Sequence, residues 1–327
     1  MTPAANTLEG LVIRAQSGFL VVRTAAGDFT CRLRGRLKKD AQEGDRVAVG
    51  DSVVITPHAD GSGVIETVHE RKAELARVRS GLKREFRQIL LANPDQIVVV
   101  FACAQPAPSL RMLDRFLVIA EKQQVDALIV ANKVDLVDPA AARETFGLYA
   151  ELGYPLVYTS ARTGAGVDAL KAYLKGKLSA LTGPSGVGKS SLLNAIQPNL
   201  GLQVREVSEA TSKGRHTTRV RQLFPLDVGG YVADTPGIRS LALWDTEPEE
   251  LDAYFVEMRA LVADCQFSDC THTHEPGCAV LAAVEAGRVA PRRYQSYLRL
   301  RFGDESEDFA EDGEPEDGQN SPERSDG

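Results

Sequence analysis

The sequence predicts a multidomain protein. An N-terminal all-β barrel of the oligonucleotide-binding (OB) kind leads into a central α/β domain built on a phosphate-binding loop, and a C-terminal α-helical zinc-binding domain follows. Three observations predict it. Residues 8 to 68 read as short strands broken by Gly and Asp turns. From Ile97 onward strand-like and helix-like runs alternate, the mark of a parallel sheet with helices on both faces. Three cysteines and two histidines then crowd into residues 265–278.

The barrel strands are LEGLVIRA, GFLVVRT, DFTCRLRG, DRVAVGDSVVIT and GVIETV, and they place a barrel domain at 1–72. Five short antiparallel strands suit an OB fold, and an SH3-like barrel gives much the same pattern. The run RLRGRLKK gathers Arg32, Arg34, Arg36, Lys38 and Lys39, either a solvated edge or a phosphate-contacting surface. Residues 71–87 hold seven bases against two acids and read as a basic connector, with the linker placed at 73–93. The α/β domain is expected over 94–244. IVVVFACA is its first strand, and SLRMLDRFLVIAEKQQ is a helix with Ser109 as N-cap and Leu110, Leu113, Leu117 and Ala120 on one face. ALIVAN, PLVYTS, LSALTG, QLFPLD and GYVADTPG read as further strands; AARETFGLYAELG, GVDALKAYLKG and KSSLLNAI read as helices. The helical domain occupies 245–302, where LDAYFVEMRALVADC and AVLAAVEAGRV…RRYQSYLRLRF read as helices and Arg288, Arg292, Arg293, Arg299 and Arg301 as a basic face.

Charge is unevenly shared. The chain of 327 residues has a net charge of −7, but the segment from Gly303 onward holds eleven acidic residues against one basic. Removing that −10 leaves a body of about +3. The tail, 303–327, offers almost nothing apolar to bury and reads as disordered. No apolar run approaches the roughly 18 residues that span a bilayer, and the N-terminus lacks a basic segment followed by an apolar one, so a cytoplasmic protein with no membrane partner is expected. Cys31 and Cys103, alone in strand-like runs, read as small buried hydrophobes.

The chemistry lies in five motifs. GPSGVGKS matches GxxxxGK[ST] between a strand and a helix. Gly183, Pro184, Ser185, Gly186, Val187 and Gly188 form the loop whose N–H groups curl around phosphates. Lys189 reaches the β and γ phosphates, Ser190 ligates Mg²⁺, and Ser191 continues the helix N-terminus. NKVD at Asn132, Lys133, Val134 and Asp135 follows the strand ALIVA, where a base-reading loop belongs. The Asp135 carboxylate can accept from guanine N1–H and N2–H₂ together, a donor pair adenine lacks. After a further helix and strand comes Thr159, Ser160 and Ala161, whose last N–H would meet guanine O6. DTPG supplies Asp234 for the Mg²⁺ shell and the Gly237 N–H for the γ phosphate. SEATSKGRHTTRV, polar and aperiodic, reads as a switch in which Thr217 or Thr218 meets the metal. Base-reading motifs thus precede the phosphate loop. The cyclic order of a G domain is intact and only the cut point differs, which predicts a circularly permuted P-loop GTPase domain. Its usual termini are joined near Lys175–Lys177, and its new ends open just ahead of IVVVFACA.

The C-terminal cluster reads C-x4-C-x-H-x5-C through Cys265, Cys270, His272 and Cys278, a closed four-ligand zinc pattern, with His274 as a rival ligand. With a barrel, a permuted G domain and this cluster in that order, the chain resembles the ribosome small subunit-dependent GTPase A family over residues 8 to about 302. NKVD, TSA, GPSGVGKSSLLN, GRHTT, DTPG and CQFSDCTHTHEPGC carry the resemblance. It implies His272 rather than His274 as the zinc ligand, with one structural Zn²⁺ and with GTP or GDP and Mg²⁺ as cofactors. It also implies a GTP-hydrolysing factor acting late in small (30S) subunit maturation, with 16S rRNA and neighbouring proteins as partners; a monomer is expected. Ile238 stands where a water-orienting glutamine is usual, so hydrolysis alone should be slow. His216 is either the polar substitute, acting in catalysis with Lys189, or a solvent-facing switch residue. The competing readings are an RNA-binding scaffold that holds GTP with negligible turnover and a P-loop metabolic kinase.

Overall fold

The computed structural model describes residues 7–16, 18–34, 47–80, 85–202, 221–234 and 247–303. The switch with His216, Thr217 and Thr218 lies outside them, as do Arg36, Lys38, Lys39, Gly237, Ile238 and the acidic tail; for Asp234 the backbone alone is described. Among the described residues no helix is long and apolar enough to cross a membrane.

Five strands, β1 (Leu8–Gln16), β2 (Phe19–Thr24), β3 (Gly27–Leu33), β4 (Ser52–Pro57) and β5 (Ser62–Val68), close in the order β1-β2-β3-β5-β4-β1. Only the β3–β5 pair is parallel. That Greek-key closure is the OB solution, which the strand pattern alone left open. Alternation along each strand turns Val12, Leu20, Val22, Cys31, Val53, Ile55 and Ile65 into the barrel core. Burial pushes the Cys31 thiol up to about 11, so it is an inert apolar group.

The fourth strand begins later than its apolar run suggests, because residues 48–51 are a buried turn. Asp51 accepts from the Ala48 N–H at 2.7 Å and from Arg71 Nε and Nη2 at 2.7 and 2.8 Å. At Gly50 φ is +94°, and a Cβ would lie 2.1 Å from the Ala92 carbonyl oxygen. Ala92 belongs to the stretch expected as a basic linker. That stretch is largely an antiparallel hairpin, β6 (Glu74–Ser80) with β7 (Glu85–Ala92). Leu75, Leu90 and Leu91 at its base are buried in the main core beside Ile13 and Val49 of the barrel.

Six strands make the α/β sheet: β8 (Gln96–Ala102), β9 (Asp126–Asn132), β10 (Leu156–Tyr158), β11 (Leu178–Thr182), β12 (Arg221–Pro225) and β13 (Tyr231–Asp234). Their order is β10-β9-β8-β11-β13-β12, parallel except for β12. β8 is buried along its whole length, as a strand covered on both faces must be. Its alternate residues divide the core. Ile97, Val99 and Phe101 meet α1 (Leu110–Lys122) and α2 (Pro139–Glu151), whereas Val98, Val100 and Ala102 meet α3 (Val167–Leu174) and α4 (Lys189–Ile196). β12 also pairs antiparallel with β1, Arg14 opposite Gln222, so barrel and α/β sheet form one continuous hydrogen-bonded surface.

Ser109 caps α1 as predicted, accepting from the Met112 N–H at 3.4 Å. The single apolar face predicted for this helix is a partial description: every residue from Leu113 to Ala120 is buried. Val118 points away from the sheet into a second core made by the C-terminal unit. That unit contains 3₁₀ turns Pro248–Tyr254 and Val262–Asp264 and three helices, α5 (Val256–Arg259), α6 (Ala279–Glu285) and α7 (Pro291–Phe302). The helical segment read over 251–265 is therefore a broken run, mostly of 3₁₀ turns. Phe255, in extended backbone, interrupts it and packs its ring edge-on against Tyr297 at 5.7 Å.

The predicted basic face of α7 needs correction at Arg293, which is wholly buried. Its guanidinium donates to Asp114 Oδ1 of α1 at 2.7 Å and to Glu257 at 2.6 and 3.1 Å, and it lies 4.5 Å from the Phe255 ring centroid. Ser296 and Tyr149 donate to the same Asp114 at 2.5 and 2.6 Å. This network fastens the C-terminal unit to α1. Removing Arg293 leaves two buried carboxylates without their shared cation, so Arg293→Ala should destabilise the protein by about 3–5 kcal/mol. A denaturation midpoint unchanged from the parent would show that the network carries no such load.

Candidate nucleotide site and metal centre

The carboxyl ends of the parallel strands bring the predicted nucleotide residues to one edge. β11 ends at Thr182 and opens into Gly183, where φ is +133° and a Cβ would sit 2.0 Å from the Val100 carbonyl oxygen. Gly186 and Gly188 also have positive φ, +73° and +92°. Pro184, Ser185 and Val187 complete the curl, and Val187 is buried in the sheet core beneath it. Lys189 opens α4 and donates from Nζ to the Gly183 and Pro184 carbonyls at 2.8 and 2.6 Å, so its ammonium lies inside the loop. Ser190 and Ser191 occupy the first turn of α4, the end at which a helix carries its partial positive charge. The backbone of Asp234, at the end of β13, pairs with Leu181 next to the loop.

Asn132, at the end of β9, is buried and connects three loops. Its Nδ2 donates to the Val187 carbonyl at 2.8 Å. Its Oδ1 accepts from Thr159 Oγ1 at 3.1 Å and from the Ala161 N–H at 3.4 Å. Gly188 is obligatory beside it, because a Cβ there would lie 2.6 Å from Asn132 Nδ2. Lys133 takes the left-handed conformation, φ +62°, and its Nζ donates to the Gln105 carbonyl. Val134 starts the short turn that carries Asp135.

Asp135 accepts from Ser160 Oγ at 2.5 Å and from Arg162 Nε at 2.8 Å. The Ser160 hydroxyl, against the opposing effect of burial, and then Arg162 hold the Asp135 carboxyl below the usual carboxylate range. The carboxylate, ionised at neutral pH, keeps lone pairs free to accept two donors from a base edge. Arg162 and Gln105 escaped sequence reasoning. Adjacency to Ala161 was the only signal for the first, and a backbone carbonyl leaves none for the second.

The second constellation lies in the C-terminal unit. The ligand atoms of Cys265, Cys270, His272 and Cys278 all lie within 4.8 Å of one another. His272 Nδ1 is 3.4 Å from Cys278 Sγ and 3.7 Å from Cys265 Sγ. A tetrahedral zinc with Zn–S of about 2.3 Å and Zn–N of about 2.0 Å sets an N···S separation of about 3.5 Å, so the donors fit the metal. His274 is exposed and bonds to Thr273 Oγ1 at 2.8 Å, apart from the cluster. Burial, with the neighbouring thiols, pushes Cys270 up to about 12, so a thiolate forms there only against a cation. Burial would raise Glu275, yet the Thr271 hydroxyl and the N–H groups of Thr271 and Thr273 hold it well below the usual range, which fixes the loop between the last two ligands. Cys278 caps α6 through Sγ, accepting from the Leu281 N–H at 3.4 Å.

Comparison with known proteins bears on the first two units of the chain. The family model described as RsgA GTPase matches residues 68–244, and that of the RsgA N-terminal domain matches residues 9–65. A protein of Gemmatimonas aurantiaca named small ribosomal subunit biogenesis GTPase RsgA is 48% identical over 296 residues, 89% of this chain and 96% of its own. The crystal structure of YjeQ from Thermotoga maritima is similar with a TM-score of 0.75 at 42% identity, covering 90% of this chain and 98% of that one. The structure of YloQ, described as a circularly permuted GTPase, is similar with a TM-score of 0.71 at 33% identity over 92% of this chain and 96% of that one. With an OB-like barrel and a permuted nucleotide domain in place, the chain belongs to the RsgA GTPase family.

Proposed function

We propose that this protein hydrolyses GTP as a biogenesis factor of the small ribosomal subunit, acting late in 30S maturation and stimulated by the subunit it binds. The observation that carries the reading is the Asn132 side chain, which bonds the base-reading, Thr159–Ala161 and phosphate loops together at one strand edge. Asp135 reads guanine, and the Ala161 N–H, held by Asn132 Oδ1 only at 3.4 Å, would be shared with O6. The N–H groups of residues 183–188 and the Lys189 ammonium hold the phosphates. Ser190 and Asp234 would hold Mg²⁺, which when bound neutralises charge on the β and γ phosphates. Thr217 or Thr218 would complete that shell, and the Gly237 N–H would meet the γ phosphate. Cys265, Cys270, His272 and Cys278 would hold one structural Zn²⁺.

The RNA reading draws support from the barrel. Phe19, 43% exposed, stands on its outer face with the Arg32 guanidinium 4.7 Å from the ring centroid. Arg14, Gln16, Phe19 and Val21 line a hollow of about 350 Å³ there. An exposed aromatic ring between arginines suits a stacked base flanked by phosphates. The protein would work as a cytoplasmic monomer, with 16S rRNA and neighbouring ribosomal proteins as its partners.

Asp135→Asn should weaken GTP binding by roughly 10²–10⁴, since two charge-assisted hydrogen bonds are each worth about 1.5–3 kcal/mol, and should admit xanthine nucleotide. Titration with a fluorescent guanine nucleotide reads this, and unchanged affinity would remove Asp135 from base recognition.

Zinc analysis should find about one metal per chain, as a single closed site requires. His272→Ala should lose it and His274→Ala keep it; the reverse would reassign the ligand.

GTP turnover should be slow alone and rise by roughly 10³–10⁵ with small subunits, the range of arginine-finger activation. The stimulation should fall with salt as phosphate contacts release counterions. Absence of stimulation would favour the GTP-holding scaffold. His216→Ala should abolish the stimulated rate while leaving GTP affinity nearly intact; full stimulation of that variant would make His216 an ordinary switch residue.

A further inference from the structure

The buried His272 ring uses both nitrogens. Nδ1 faces the cysteine sulfurs, and Nε2 lies 3.0 Å from Asp252 Oδ2. A carboxylate only accepts, so Nε2 carries the proton and Nδ1 presents its lone pair to the cluster. His272 also takes a left-handed backbone conformation, φ +58°, with its carbonyl held by the Tyr294 hydroxyl at 2.6 Å. The ring is therefore aimed from two sides, by backbone and by carboxylate.

Asp252 comes from outside the ligand segment. It lies on the 3₁₀ turn Pro248–Tyr254, on the stretch of chain that follows DTPG at 234–237. Leu251 on that turn and Phe255 just after it share one apolar core with Val118 of α1 and with Cys270 and Cys278. The turn thus touches the nucleotide domain on one side and the metal ligands on the other.

We propose that Asp252 is the positioning residue of the zinc centre, and that the Asp252–His272 hydrogen bond makes the centre an anchor for the chain leaving the second switch motif. The inference rests on the zinc reading above. A carboxylate behind a metal-bound imidazole fixes the tautomer and raises ligand basicity, and loss of such a partner typically weakens metal binding by about 10–100-fold. The same bond holds the Pro248–Tyr254 turn in place, so the turn should loosen when either partner is lost.

The test uses the full-length protein loaded with zinc. Competition with a chromophoric chelator should show zinc held about 10–100-fold more weakly by Asp252→Ala. Asp252→Asn, which keeps an acceptor oxygen but no charge, should fall between that variant and the parent. In cobalt-substituted protein the ligand-field bands of Asp252→Asn should shift, because the imidazole is less basic. Amide exchange over 247–255 should quicken in zinc-stripped parent and in zinc-loaded Asp252→Asn alike. A parent that holds no zinc would contradict the zinc reading itself. A parent that holds zinc, with Asp252→Asn retaining it equally tightly, would overturn the role of Asp252, and this variant decides the matter if Asp252→Ala does not fold. Unchanged exchange over 247–255 would overturn the anchor.

Discussion

The nucleotide end of the molecule depends on one buried amide. Asn132 reaches from the end of β9 to the phosphate loop at Val187 and to the loop at Thr159 and Ala161. Each of those loops leaves a different strand, and permutation has placed the phosphate loop after both base-reading loops in the chain. Their mutual position is therefore set by tertiary contact. A buried amide whose partners are removed leaves donors and acceptors unpaired, at about 1–3 kcal/mol each. The close approach at Gly188, where any Cβ would collide with Asn132, belongs to the same constraint.

Around that site the outer units are fixed to the central sheet. The barrel joins it through the β1–β12 ladder and through the Asp51 turn set into the β6–β7 hairpin. The C-terminal unit joins it through Arg293 and Asp114. β12 directly follows the predicted switch segment and β13 leads into DTPG, so both switch motifs adjoin strands of the continuous sheet. A change at the nucleotide has a hydrogen-bonded route to the barrel surface that carries Phe19 and Arg32. The 247–255 turn, for its part, packs against α1 and bonds to His272 of the Cys/His cluster.

What the sequence made legible and what it hid divide along physical lines. Motifs contained within a few residues, such as GPSGVGKS and NKVD, could be read because their residue types and spacing lie in one short stretch of chain. The barrel strands could be read because alternation fixes which side chains turn inward. The hairpin at 74–92 was hidden because its many basic residues obscure a short apolar base, and that base is buried only by contact with distant Ile13 and Val49. The second buried face of α1 was hidden because its cover, the C-terminal unit, lies more than a hundred residues further along the chain. Arg293 looked like a surface base because its two carboxylate partners, Asp114 and Glu257, come from other elements. Arg162 and Asp252 were missed in the same way: each is a partner of a motif residue from outside the motif.

The central claim, that Asn132 joins the base-reading loop to the phosphate loop, is tested most directly by amide hydrogen exchange over residues 183–188 in nucleotide-free Asn132→Ala. Faster exchange in that loop, some fifty residues away in sequence, is the predicted result, since loss of about 1–3 kcal/mol of local restraint corresponds to roughly 5–150-fold in opening. Exchange there equal to the parent, with any change confined to 132–136, would contradict the claim.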